Sequence, residues 1–398
     1  MNRIKIIHGN ILTPYRIIKD GVICIEDEKI CEVSERDVNF PNATVIDARG
    51  DYVSPGFIDL HTHGSGGCDF MDGTVDAFLK SLEMHAQHGT TSLYPTTLAS
   101  TLKEMLATIE IYEKSAKQNT KGASMMGLHL EGPYFSMNQR GAQDPQYIRD
   151  PDPKEYMEIL NSTRNIARWS SAPELKGSQA FASALLSHGI LPSIAHTDAI
   201  YEEILPAFEW GYTHVTHLYS GMSGITRKNG FRYLGVIESA FLIDEMTVEI
   251  IADGVHLPPE LLQLIYKIKG PGKIALITDS MRAAGMPVDK SILGSLSNGQ
   301  EVLVEDGVAK LPDRSAFAGS VATTDRLVRT MHFSAGIPLL ETIQMITYTP
   351  ACIMGIDKNK GSLSVNKDAD MVLFDEQINV NMTIIKGNIV YKNETKCH

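Results

Sequence analysis

Six side chains in this sequence could bind a metal ion or move protons, and each closes an apolar run. They are His61 and His63 in GFIDLHTH, Glu131 in GLHLEGP, His196 in SIAHTD, His217 in VTHLYS and Asp279 in LITDS. In His61-Thr62-His63 a strand with period two points both imidazoles to one face, which suits two ligands on one cation. An HxH alone is a modest signal, because a surface pair is the commoner case. Its place after GFID, at the end of an apolar run, favours metal proximity. Glu131, held ahead of a rigid Gly-Pro, joins His196 and His217 as three N/O donors. Three protein ligands with one open position are the pattern of a catalytic metal site. Taken singly, either histidine reads as a satisfied core residue and Glu131 as a helix cap. Asp279 beside such a cation can take a proton from an attacking water and return it to a leaving amine; the competing reading of Asp279-Ser280 is a helix N-cap. His129 shares the parity of Glu131 and reads as packing around the ligands, and His214 as pointing elsewhere.

Residues so far apart in sequence converge only if the elements between them align the strand ends. From 55 to 354, eight apolar runs (56–63, 91–96, 124–132, 167–173, 190–198, 213–218, 248–256 and 273–280) alternate with helix-like segments such as TVDAFLKSLEMHAQHG and AIYEEILPAFEWG. Near-continuous apolar strands alternating with helices indicate a parallel sheet. Eight repeats fit an α/β fold of the (β/α)8 TIM-like barrel type, whose active sites lie at the C-terminal strand ends. The flanks differ. IKIIHGNILTP, GVICIEDEKICEV and ATVIDARGDYVSPG at the start, and GSLSVNKDADMVLFDE and MTIIKGNIVYK near the end, read as short strands. The expected organisation is a small β-sandwich domain formed by both termini, 1–54 plus 355–398, around a 55–354 barrel.

The 398 residues are 43% hydrophobic and 21% charged, with a formal net charge of −12. That balance argues against a general affinity for nucleic acid or anionic membranes; an anionic substrate needs only a local basic pocket. Cys24, Cys31, Cys68, Cys352 and Cys397 form no CxxC pair and are odd in number, as expected of free thiols in a reducing cytoplasm. MNRIKIIHGN has no apolar signal-peptide core, and no apolar run approaches the roughly 18 residues of a membrane span. A cytoplasmic location is expected.

PGFIDLHTHG resembles the entry motif of the amidohydrolase superfamily. GLHLEGP, followed in order by RGAQDP, AHTDA, THLY, IIADGVH, LITDSM and FAGS, is similar to the N-acetylglucosamine-6-phosphate deacetylase family within it, HLEGP being the most specific. The resemblance implies hydrolysis of N-acetylglucosamine 6-phosphate, or a close N-acetylhexosamine phosphate, to the amino sugar phosphate and acetate. The alternative within the superfamily is an N-acyl hydrolase or deaminase acting on a non-phosphorylated substrate. A barrel that only binds ligands or partners would have lost metal ligands, and all six candidates are present.

By the same resemblance Glu131, His196 and His217 hold the main divalent metal and Asp279 is base and then acid. His61 and His63 allow a second ion, so one or two ions per subunit are expected, and the N/O ligands suit zinc or iron. The substrate is placed against Ala142, Gln143, Ser220 and Gly221, the Asp253-Gly254-Val255-His256 segment and Phe317-Ala318-Gly319. His256 would contact the sugar and Arg227 the phosphate, in the family often across a dimer interface, so a homodimer is expected. An arginine fork suits phosphate because several donors meet several oxygens. Two departures stand out. Gln143 replaces a histidine that helps polarise the acetamide carbonyl; its amide can donate but cannot carry charge. Ser220-Gly221 replaces an Asn-Ala pair in the loop LYSGMSGITRKNGFRY, where Arg232 could replace or assist Arg227.

Overall fold

A computed structural model describes residues 2–394; Cys397 lies outside the described residues. The middle of the chain is the expected barrel. Its strands run Phe57–Thr62, Thr90–Thr97, Leu128–Glu131, Ile166–Ser171, Leu191–Ile194, His214–Val215, Thr247–Ile251 and Ile274–Ile277. Successive neighbours pair in parallel. A parallel bridge between Thr62 and Ser280 closes the ring.

The closing seam is made by residues of the candidate site. Asp279 N donates to His61 O (2.9 Å) and His63 N to Ser280 O (2.8 Å). Below them Asp59 joins first and last strands: Oδ2 accepts from Thr278 Oγ1 at 2.6 Å, and Oδ1 from the backbone N–H groups of Thr278 and His61 at 3.2 and 3.3 Å. Burial raises the Asp59 pKa to about 7 against the pull of those hydrogen bonds. The sequence therefore uses the Asp of GFID as a brace.

Helices pack outside the ring through apolar stripes at helical spacing. Leu102–Gln118 buries Met105, Ile109 and Tyr112, four and then three residues apart. It starts with a capping box: Thr101 Oγ1 accepts from Glu104 N and Glu104 Oε2 from Thr101 N. Losing such a cap costs about 1 kcal/mol. Among the described residues, no helix is long and apolar enough to cross a membrane.

The two ends of the chain meet in one connected, mostly antiparallel sheet of eight strands. Tyr52–Pro55 lies inside it, parallel to Arg3–Leu12 on one side and antiparallel to Met371–Phe374 on the other. Ile6, Ile23, Val53, Met371 and Ile384 form its core. Gly56 alone separates this sheet from the first barrel strand. A Cβ there would meet Thr91 Oγ1 at 2.1 Å, so only glycine fits.

Among the elements not anticipated are two that carry Asp-Gly or Asn-Gly turns. An antiparallel sheet of Lys290–Leu293, Gln300–Glu305, Val308–Lys310 and Phe317–Ser320 follows the last barrel strand. A hairpin, Thr226–Lys228 with Phe231–Tyr233, projects after the sixth. Each has a left-handed pair at its turn, Asp306-Gly307 (φ 54° and 76°) and Asn229-Gly230 (φ 52° and 86°), and these dipeptides are the strongest short-range hairpin signals. Cys24, Cys31, Cys68 and Cys352 are free thiols.

Candidate metal centre and active site

The C-terminal strand ends bring all six candidate residues together. Glu131 is central: its Oε1 lies 2.8 Å from His217 Nε2, 3.3 Å from His196 Nε2 and 3.6 Å from His61 Nε2. His61 Nε2 is 3.3 Å from His63 Nε2, and both face Asp279 Oδ1, at 3.4 and 3.3 Å. Two overlapping triads, His61-His63-Asp279 and His61-Glu131-His217, each keep their ligand atoms within 4.8 Å of one another.

Local backbone geometry aims these groups. His196, His217 and Asp279 each come two residues after a strand ends, and each adopts a left-handed conformation (φ 47°, 29° and 46°). Such φ values are uncommon for non-glycine residues and store strain at functional sites. Close approach also fixes Gly221, where a Cβ would come within 2.7 Å of His196 Nδ1.

The donor chemistry fits a cation. His196 Nδ1 donates to Gln139 O at 2.7 Å, so in the neutral ring the Nε2 lone pair faces Glu131 Oε1. A proton or a metal cation held between the two relieves that contact, and, against burial, the Glu131 contact raises the His196 pKa. The Nδ1 atoms of His61, His63 and His217 are buried without hydrogen-bond partners, and a Glu249 carboxylate oxygen lies 3.5 Å from that of His61.

Burial disfavours charge on Glu131, yet the imidazoles of His61, His196 and His217 override it and hold the carboxyl well below its usual range. Burial drives the His61 imidazole well below its ordinary value. His63 is pushed up to about 9, because Asp279 and Glu131 outweigh its burial.

Gln143 and Asp253 act on their neighbours. Gln143 Nε2 donates to Glu131 Oε2 at 2.7 Å, and its Oε1 accepts from Ala99 N at 2.9 Å. Asp253 accepts the backbone N–H groups of Val255 and His256, both at 2.8 Å, and lies 2.7 Å from His256 Nδ1. That contact leaves His256 Nε2 to the cavity, with the ring edge-on to Phe317 at 4.7 Å between centroids.

A cavity of about 320 Å³ opens above the ligands. His63, Glu131, His196, His217 and Asp279 line it, as do Ala142, Gln143, Ser220, Gly221, His256, Phe317 and Gly319. His61 is fully buried beneath. Asp253, Gly254, Val255 and Ala318 are not in the lining, and Asp253 sits behind His256. Arg227 is not brought to the cavity either. It pairs across the exposed hairpin with Arg232, and both are outside the lining. The sequence reading missed Leu98, Gly141, Tyr219, Leu293 and Ala316. Leu293 and Ala316 belong to the region of the unanticipated sheet, whose Asp-Gly turn was the available signal. Tyr219 and Gly141 lie within the motifs THLY and RGAQDP, which were the signals for them.

The sequence pattern of the amidohydrolase family matches residues 52–390. The chain belongs to the amidohydrolase family. Among its amidohydrolase relatives is the N-acetylglucosamine-6-phosphate deacetylase of Vibrio furnissii, 31% identical over 378 residues, covering 95% of this chain and 92% of that protein. An N-acetylgalactosamine-6-phosphate deacetylase of Escherichia coli O157:H7 is 30% identical, covering 94% and 93%. The crystal structure of N-acetylglucosamine-6-phosphate deacetylase from Pasteurella multocida superposes with a TM-score of 0.91 at 28% identity, covering 98% of this chain and all of that one.

Proposed function

We propose that this amidohydrolase is a metal-dependent deacetylase that hydrolyses N-acetylglucosamine 6-phosphate to the amino sugar phosphate and acetate. The observation that carries the reading is the gathering of lone pairs around Glu131 at a barrel mouth, in a chain similar along nearly its whole length to such deacetylases. Glu131, His196 and His217 would hold the main divalent ion, zinc or iron, and His61 and His63 a second. Bound there, a divalent cation acidifies water and polarises a carbonyl oxygen.

The protein's own groups do the rest. Asp279 Oδ1 faces the cavity floor and accepts the proton of the attacking water. It then delivers that proton to the departing nitrogen as the C–N bond breaks, and acetate and the amino sugar phosphate leave. His256, oriented by Asp253, offers Nε2 to sugar hydroxyls. Ser220, Gly221 and Phe317 shape the wall against the ring.

The phosphate end rests on the hairpin. Arg227 and Arg232 are exposed, and among the described residues neither has an ion-pair partner; neighbouring Phe231 is 72% exposed. A homodimer in which this hairpin covers the partner's cavity would supply the anion site and bury Phe231. We take 1–54 with 355–398 as one unit and 55–354 as the other, although the terminal sheet runs one residue past that boundary through Pro55, and place the enzyme in the cytoplasm, in keeping with its free thiols.

Acetate release across N-acetylhexosamine phosphates and their unphosphorylated forms, with and without added metal, tests the reading. The expected result is metal-dependent release, strongest for N-acetylglucosamine 6-phosphate. Equal rates on unphosphorylated compounds would favour a different N-acyl hydrolase. Preference for the galactosamine epimer would favour the second reading that the Escherichia coli relative suggests.

A further inference from the structure

The barrel interior holds a charged group that the mechanism above does not use. Barrel cores are normally filled by layers of branched apolar side chains. Here Arg168, from the fourth strand, and Glu249, from the seventh, meet inside the ring, 1% and 0% exposed. Arg168 NH1 pairs with Glu249 Oε1, and NH2 donates to Oε2 at 3.2 Å. Buried ion pairs are a poor route to stability, since apolar replacements of similar volume are often as stable or more so. This pair sits where it can act on the metal ligands. Glu249 Oε2 lies 3.5 Å from His61 Nδ1 and accepts from the backbone N–H of His217 at 3.4 Å. Its Oε1 is 3.3 Å from His214 Nε2, and His214 Nδ1 is tied to Thr247 Oγ1 at 2.7 Å.

His61 is held from the side as well. The His129 ring stands edge-on to it, at 4.5 Å and 90°. His129 is anchored by Ser170 Oγ at 2.7 Å and by Arg168 NH2 at 3.1 Å. One nitrogen of His61 thus faces a carboxylate, and the other points among Glu131, His63 and Asp279.

We propose that Arg168 and Glu249 are positioning residues for the His61 side of the metal centre. In the ion-bound enzyme Glu249, 3.5 Å from His61 Nδ1 and not hydrogen-bonded to it here, takes the Nδ1 hydrogen, so the Nε2 lone pair is presented to the ion. Arg168 holds Glu249 in place and balances its charge, and the Glu249 contact to His217 N ties the same brace to the main ligand set. Carboxylates behind ligating histidines commonly contribute 10–100-fold to metal affinity. This inference rests on the metal site proposed above.

The test is cation binding by the full-length protein, read by elemental analysis, chelator competition and the absorption spectrum of the cobalt-substituted form. Wild type is expected to hold two ions. Glu249→Gln should weaken one of them about 10–100-fold and alter the cobalt spectrum, while the ion at Glu131, His196 and His217 stays bound. It should lower kcat with little change in KM. The apolar pair Arg168→Met with Glu249→Leu should melt no lower than wild type and show the same metal defect; if that pair does not fold, Glu249→Gln decides alone. A folded Glu249→Gln protein with wild-type affinity for both ions and a wild-type spectrum would overturn the inference, as would a wild type that binds a single ion, and in both cases the deacetylase reading survives. A wild type that binds no divalent cation overturns that reading itself, and this inference with it.

Discussion

Gln143 donates its side-chain amide to Glu131 Oε2 at 2.7 Å while its own oxygen accepts the Ala99 N–H at 2.9 Å. The Ala99 contact fixes which end of the amide points inward, so Gln143 steers the central carboxylate. Losing a hydrogen bond to a charged group costs about 1.5–3 kcal/mol. Gln143→Ala should therefore weaken metal retention roughly 10- to 100-fold, measured by chelator competition, with a parallel fall in acetate release. Unchanged metal retention would assign Gln143 to the substrate alone.

Asp279 is expected to move the reaction's proton. Asp279→Asn should lower kcat by about 10²–10⁴-fold, the usual worth of a positioned acid–base group, while the protein still carries metal by elemental analysis. Turnover within a few-fold of wild type would refute the role.

Metal removal has two expected consequences. Exhaustive chelation should abolish acetate release, and zinc or ferrous iron should restore it. It should also lower the melting temperature, because an ion that binds only the folded state stabilises it by mass action. His217→Ala should gain less melting temperature from added metal than wild type does. A stripped wild type that melts no lower would argue against an ion at Glu131.

The hairpin arginines make a separate prediction. Arg227→Ala and Arg232→Ala should raise KM for phosphorylated substrates and leave rates on unphosphorylated analogues unchanged. If a partner's hairpin completes the cavity, the effect should accompany dimerisation in sedimentation experiments. A monomer with full activity would rule that out.

Acid sensitivity can be traced to Asp325, at the start of the helix Thr324–Arg329. Burial would raise its pKa, but the His88 contact, Arg329 and Thr323 together pull it down to about 2. A depressed carboxyl stabilises the fold above its unfolded value of about 3.9. That stability is lost as pH falls from there towards 2, in total roughly 2–3 kcal/mol. Asp325→Asn should lower the melting temperature at neutral pH, and the gap to wild type should narrow as pH drops from 4 to 2. A gap independent of pH would contradict the assignment.

Much of the site was legible because polar residues close otherwise apolar runs, which is how a buried strand announces a functional end. The route by which they reach the centre was not. His196, His217 and Asp279 leave their strands two residues early and turn through left-handed backbone, and nothing in the local composition encodes that. Arg168 and Glu249 were hidden inside the runs ARWSSAP and VEIIADGVH, where one charge does not break the apolar pattern. The sheet beginning at Lys290 carried its Asp306-Gly307 turn in plain view, but it falls after the eighth strand had completed the barrel. Arg227 is legible as a phosphate residue only by resemblance, since a single chain does not bring it to the mouth.

The junction at Gly56 has a consequence for how the protein is made. The strand that carries His61 continues directly from Tyr52–Pro55, one flank of which is occupied by Met371–Phe374. During synthesis that flank stays open until Met371–Phe374 has emerged. A chain cut before Met371 would never cover it, and uncovered strand edges recruit other chains. The same late strand that backs the start of the first barrel strand thus also shields the nascent protein from aggregation.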